Sequence, residues 1–211
     1  MFPPEARIYP LTDVRVSGLP HAEQVIRLSA GGASVIQLRE KFLPPREFYK
    51  QAQETLAVAR QRGVRIVIND RVDIALVLEA DGVHLGQHDL SPEAARGLLG
   101  DKAIIGFSTH NLEQALRAAR LPIDYLAIGP IFATSSKNNV DPVVGLEGLR
   151  NVRKAIGSLQ LVAIGGISHE NAASVLEAGA DAVALISALL TAPQEITVRT
   201  KHLLAALSAP R

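Results

Sequence analysis

The chain has 211 residues, 47% of them hydrophobic and only 4% aromatic, so one core built mainly from Val, Ile, Leu and Ala is expected. Lys and Arg number 22 against 21 Asp and Glu, a net charge of +1, which argues against nucleic-acid or membrane-surface partners because both usually need a basic excess. The absence of cysteine excludes disulfides, thiolate metal sites and a Cys nucleophile. The longest apolar stretch, around Ala182–Leu190, is too short to span a bilayer, and Met1-Phe2-Pro3-Pro4-Glu5 lacks the basic-then-apolar pattern of a secretory signal. A soluble, cytoplasmic protein acting on small molecules is the expectation.

In chain order, eight short apolar runs read as strands: Ile8–Leu11, Val35–Leu38, Ile66–Ile68, Val83–Leu85, Ile104–Phe107, Tyr125–Ile128, Leu161–Ile164 and Val183–Ile186. Helical signals fill the gaps. Pro44-Pro45 opens a segment with apolar residues at Phe48, Ala52, Leu56 and Ala59, and Gly63 ends it. Ser91-Pro92-Glu93 is a helix start, and Asn111 with Gln114 repeats the capping logic. Leu146, Leu149, Val152 and Ile156 form a further stripe, followed by Ala172, Val175 and Leu176 with Ser168 as the expected cap. Strand–helix alternation predicts parallel strands with right-handed crossovers. Eight units of fairly even length favour a closed (β/α)8 TIM barrel over an open sheet, as a single domain over residues 1–211. The one long insertion, Pro130–Gly145, has the size of a functional loop.

In such a barrel the strand C-termini converge on one mouth, so polar residues scattered along the chain meet there. Alternation after the second run puts Gln37, Arg39 and Lys41 on one face; two inward cations either hold an anion between them or reach solvent. Asp70 closes the third run and Asp89 lies just beyond the fourth, so adjacent strand ends bring together two carboxylates that suit a Mg²⁺ also taking phosphate oxygens, unless Asp70 merely caps a helix and Asp89 starts a turn. Thr134-Ser135-Ser136-Lys137 suits phosphate or is a solvated loop. Gly165-Gly166 and Ile186-Ser187 follow the seventh and eighth runs, where barrels often bind phosphate. His84, His88 and His110 form no cluster at zinc-like spacing, although His110 could reach the mouth.

Six segments in register resemble the successive signatures of thiamine phosphate synthases. They are Val35-Ile36-Gln37-Leu38-Arg39-Glu40-Lys41, Val67-Ile68-Asn69-Asp70-Arg71, Asp81 to Asp89, Gly106-Phe107-Ser108-Thr109-His110, Gly129 to Lys137, and Ala163-Ile164-Gly165-Gly166-Ile167. The resemblance implies a (β/α)8 barrel that couples a hydroxymethylpyrimidine diphosphate with a thiazole phosphate, or its carboxylated form, to give thiamine phosphate and pyrophosphate. It further implies that Gln37, Leu38, Arg39, Glu40 and Lys41, with Asn69, Ser108 and Lys137, hold the pyrimidine diphosphate. Thr134, Ser135, Ser136, Gly166, Ile186 and Ser187 would hold the thiazole phosphate, and Asp70 and Asp89 would bind Mg²⁺. Arg39, Lys41, Ser108 and Lys137 are the residues expected to act on the departing diphosphate, and a homo-oligomer is compatible with the sequence. The alternatives are a TenI-type thiazole tautomerase, which has little need of the acidic pair, and a non-catalytic regulatory barrel that binds metabolites.

Overall fold

The computed structural model describes residues 1–134 and 141–208. Eight parallel strands are joined by helices: β1 (Ile8–Pro10), β2 (Val35–Leu38), β3 (Arg65–Asn69), β4 (Gly82–Leu85), β5 (Ile104–Thr109), β6 (Tyr125–Ile128), β7 (Gln160–Ile164) and β8 (Ala182–Leu185). Each strand pairs with the next from β2 to β8, and β8 pairs with β1. Among the described residues, β1 and β2 are the one neighbouring pair without a ladder. They meet through a single bridge, Leu11 to Gln37, with the Thr12 amide donating to the Gln37 carbonyl at 2.9 Å. The barrel expected from strand–helix alternation is therefore present. Its wall is nearly all aliphatic: Val35, Ile36, Ile66, Val67, Ile68, Val83, Ile105 and Leu161 are fully buried.

The crossover helices follow from local signals. In chain order they are α1 (Val14–Ser17), α2 (His21–Ala30), α3 (Pro45–Gln61), α4 (Val72–Val77), α5 (Pro92–Leu99), α6 (Leu112–Ala118), α7 (Gly145–Ile156), α8 (Ala172–Glu177), α9 (Ser187–Leu190) and α10 (Ile196–Ser208). Pro45 starts α3, and Phe48, Ala52, Leu56 and Ala59 make its buried stripe. Ser91 caps α5 by accepting from Ala94 N, and Asn111 caps α6 through Gln114 N. Ser168 does not cap α8. That position belongs to Asn171, whose Oδ1 accepts from Ser168 N at 2.8 Å, because a tight turn intervenes after β7.

One device recurs at the end of the barrel away from the mouth. Asp81, Asp124 and Asp181 stand just before β4, β6 and β8, and each carboxylate accepts the amide of the preceding strand: Ile66 at 2.7 Å, Ile105 at 2.9 Å and Leu161 at 2.8 Å. Arg96 and Arg153 pair with the second and third of these. Strand-edge amides that would otherwise be orphaned are satisfied, which assigns these acids to stability rather than chemistry. No helix among the described residues is long and apolar enough to cross a membrane.

Candidate active site

A cleft of about 560 Å³ opens at the C-terminal ends of the strands, within the size range of small-molecule sites. Gln37, Arg39, Lys41, Asn69, Asp70, Asp89 and Ser108 all line it, together with Tyr9, His84, Gln87 and His110. A second hollow, lined by Ser108, His110, Thr134, Gly165, Gly166 and Ile186, is continuous with it through Ser108, His110 and Asp141. Most of the residues singled out in the sequence thus meet at one place.

The sequence argument for the cations needs one correction. β2 ends at Leu38, so Arg39 and Lys41 lie on the loop beyond it, and strand alternation does not set their direction. Nor do they face each other unscreened. Arg39 Nη1 pairs with Asp13 Oδ2 at 2.7 Å, both side chains nearly buried, and the Lys41 ammonium rests on Asp70. Asp13 in turn caps α1 by accepting from Arg15 N and Val16 N. Within the same segment, Leu38 is fully buried in the core. Glu40 turns away to accept from Phe42 N at 2.6 Å and Leu43 N at 3.2 Å, with His21 Nε2 at 3.4 Å. Burial alone would raise the Glu40 pKa, but those amides and His21 hold it below its ordinary value. His21 is itself fully buried, bonds Thr12 Oγ1 at 2.8 Å and has a lowered pKa because of that burial. Thr12 then accepts from Arg39 N at 3.2 Å, so a buried brace fixes where the Arg39 loop leaves the barrel.

Asp70 adopts a left-handed backbone, φ 62°, which Asp and Asn tolerate better than other side chains. It does not cap the following helix: α4 begins at Val72 with Arg71 at its cap position and no side-chain cap bond. Instead the turn aims the carboxylate at the mouth, beside Lys41 and Asp89. Burial pushes the Asp70 pKa up, Lys41 opposes that, and the neighbouring Asp89 carboxylate adds to the rise. Asp89 is steadied by Gly86 N at 2.7 Å. Among the described residues no group of three or more His, Cys, Asp or Glu is disposed to hold a metal. Two adjacent, mutually repelling carboxylates nevertheless fit a hard divalent cation that takes its remaining ligands from water and phosphate.

At the second hollow, Gly165 and Gly166 have φ of 100° and 64°. Ile131 N and Phe132 N donate to Ile164 O and Gly165 O, both at 3.0 Å, so the long sixth loop lies directly on this turn. The far end of that loop returns to its start, with Val144 N donating to Pro130 O at 2.8 Å. Thr134 faces the hollow, Ile186 lines it, and Ser187 is exposed at the start of α9. Ser135, Ser136 and Lys137 lie outside the described residues.

Sequence reasoning missed the floor of the cleft. Tyr9 and Tyr125 sit inside apolar strand runs, and His84 belongs to no cluster at zinc-like spacing, so none of the three is singled out. In fact Gln37 Nε2 donates to Tyr9 OH at 3.2 Å, Tyr9 OH meets Tyr125 OH at 2.9 Å, and Tyr125 OH meets His84 Nδ1 at 2.9 Å. His84 Nε2 then meets Ser108 Oγ at 2.8 Å. The available signal was polar residues at interior-facing positions of strands that are otherwise aliphatic.

An eight-stranded parallel barrel with a polar-floored mouth, rimmed by cations and a carboxylate pair, defines an enzyme of the (β/α)8 class. Residues 8–189 match the family model described as thiamine monophosphate synthase. The chain is 44% identical over 203 residues to the thiamine-phosphate synthase of Chloroflexus aurantiacus, covering 96% of this chain and 93% of the relative. It is 52% identical over 168 residues to that of Koribacter versatilis, covering 80% and 79%. Among solved structures it is similar to the thiamine phosphate pyrophosphorylase of Pyrococcus furiosus, with TM-score 0.85, 36% identity and coverage of 97% and 98%. The chain belongs to the thiamine monophosphate synthase family.

Proposed function

We propose that this barrel couples a hydroxymethylpyrimidine diphosphate to a thiazole phosphate, releasing pyrophosphate and forming thiamine phosphate. The observation that carries this reading is the Asp70–Asp89 pair beside Lys41 and Arg39, at the mouth of a chain that belongs to this family. A tautomerase moves one proton and has no use for so much charge. Expelling a diphosphate requires it.

The bond from the pyrimidine methylene carbon to the diphosphate oxygen breaks, and its electron pair leaves with pyrophosphate. The thiazole nitrogen lone pair then forms the new carbon–nitrogen bond, so no protein nucleophile or base is needed. Catalysis rests on stabilising the departing charge and holding the nitrogen in line. Arg39, Lys41 and Lys137 bind the diphosphate, and Ser108 donates to it. To do so, Arg39 and Lys41 exchange their resting partners, Asp13 and Asp70, for phosphate oxygens. Gln37 Oε1, buried and without a hydrogen-bond partner, accepts from the pyrimidine, and Asn69, whose Nδ2 is likewise unpartnered, completes that pocket. Thr134, Ser135, Ser136, Gly166, Ile186 and Ser187 bind the thiazole phosphate. Asp70 and Asp89 hold Mg²⁺, which when bound neutralises charge on the leaving diphosphate. A cytoplasmic setting is part of the same proposal.

The test is direct. Purified protein with both substrates and Mg²⁺ should form thiamine phosphate and pyrophosphate in equal amounts. If only the thiazole isomerises and no coupling is detected, the reading is wrong.

A further inference from the structure

The row of hydrogen bonds on the barrel floor has a direction. Tyr9 and Tyr125 are fully buried, and burial raises both phenol pKa values, so each carries its single proton. Gln37 Nε2 donates to Tyr9, and the arrangement that then gives each buried hydroxyl hydrogen an acceptor sends the Tyr9 proton to Tyr125 oxygen and the Tyr125 proton to His84 Nδ1. The Tyr125 and His84 rings are stacked, with centroids 5.5 Å apart and planes 18° from parallel, which holds the phenol oxygen beside Nδ1. In that arrangement His84 carries its proton on Nε2 and donates it to Ser108 Oγ, 2.8 Å away. Ser108, having accepted, has its own hydrogen left to direct into the cleft that it lines.

The sheet makes special room for this arrangement. Gly106 on β5 lies against Tyr125, and a Cβ there would overlap the ring carbons and the hydroxyl. A buried phenol in an aliphatic barrel also carries a desolvation cost that Phe would avoid. We propose that Tyr125 is a positioning residue: it fixes His84 as the Nε2–H tautomer and thereby turns the Ser108 hydroxyl hydrogen towards the substrate diphosphate. The second half rests on the coupling reading above, whereas the tautomer does not.

The test uses the full chain with ¹⁵N-labelled histidine, whose ring nitrogen shifts report which nitrogen is protonated. In the parent protein His84 should be protonated on Nε2. Tyr125→Phe should lose that preference, while Tyr9→Phe, which leaves the Tyr125 proton in place, should keep it. In steady-state kinetics Tyr125→Phe should lower kcat about ten-fold to a hundred-fold, the range for an oriented bond to a charged group. The KM for thiazole phosphate should stay within about two-fold, a split that general loosening of the barrel would not give. A parent protein with His84 protonated on Nδ1 overturns the proposal whether or not any variant folds. So does a Tyr125→Phe protein that keeps both the tautomer and the parental kcat. If the parent protein fails to couple its substrates, the functional reading falls, and the tautomer result still decides the role of Tyr125.

Discussion

Gly166→Ala separates two reasons for a glycine in the turn after β7. At φ 64° a Cβ is strained whatever its surroundings, which costs roughly 1–2 kcal/mol. The new methyl would also stand 2.6 Å from Ala133 O, 2.7 Å from Phe132 Cβ and 2.9 Å from Phe132 C. Ordinary contact lies near 3.5–4.0 Å, so the sixth loop must retreat by about 1 Å, at a further cost of roughly 1–3 kcal/mol. The total of about 2–5 kcal/mol corresponds to roughly 4–20 °C in Tm for a domain of this size. Gly63→Ala is the control, because its φ is 66° but nothing lies within 4 Å of the added carbon. Calorimetry on both variants therefore isolates the clash as the difference between them. Because the retreating segment leads into Thr134, the KM for thiazole phosphate should rise about ten-fold or more in Gly166→Ala and stay unchanged in Gly63→Ala. Equal Tm losses together with an unchanged thiazole phosphate KM would refute both the contact and the phosphate site.

Asp70→Asn keeps a residue suited to left-handed backbone but removes charge, and should lower coupling turnover on the order of a hundred-fold and abolish stabilisation by Mg²⁺ with pyrophosphate. Its effect on folding runs the other way. The raised pKa means the folded chain holds the Asp70 proton more tightly than the unfolded chain, so stability falls as pH rises from the ordinary 3.8 through the raised folded value. At neutral pH and without metal, Asp70→Asn should be at least as stable as the parent, and the gap should close on acidification; thermal melts across pH check this. Asp124→Ala orphans Ile105 N at the opposite end of the barrel and leaves Arg96 only its backbone carbonyl partners, and should cost about 1–3 kcal/mol of stability with kcat unchanged, as read by denaturant unfolding and steady-state assay.

The strands were legible because their apolar runs are short, β-rich and evenly spaced, and because Pro45, Ser91 and Asn111 mark helix starts by local chemistry alone. Residues at strand ends, such as Asp70, Asp89 and Ser108, could be assigned to the mouth because the barrel dictates where strand ends go. Long-range pairing was not legible. Arg39 finds Asp13 through 26 positions of chain, and Tyr9 finds Tyr125 through 116. A polar residue in an aliphatic strand marks Tyr9 and Tyr125 as worth attention, but nothing local says which distant hydroxyl each one meets. Ser168 misled for a related reason: Ser, His, Glu and Asn in sequence offer several caps, and the turn geometry selects Asn171.

The single bridge between β1 and β2 also has mechanical meaning. Every other pair of neighbouring strands is held by a ladder, so a fluctuation that parts the staves requires least disruption at Leu11 and Gln37. That seam lies directly beneath Gln37 and the root of the Arg39 loop, with His21, Thr12 and Glu40 stapled across its top. The thinnest line of backbone pairing in the wall thus runs under Arg39 and Lys41, which on the proposed function exchange Asp13 and Asp70 for an anion.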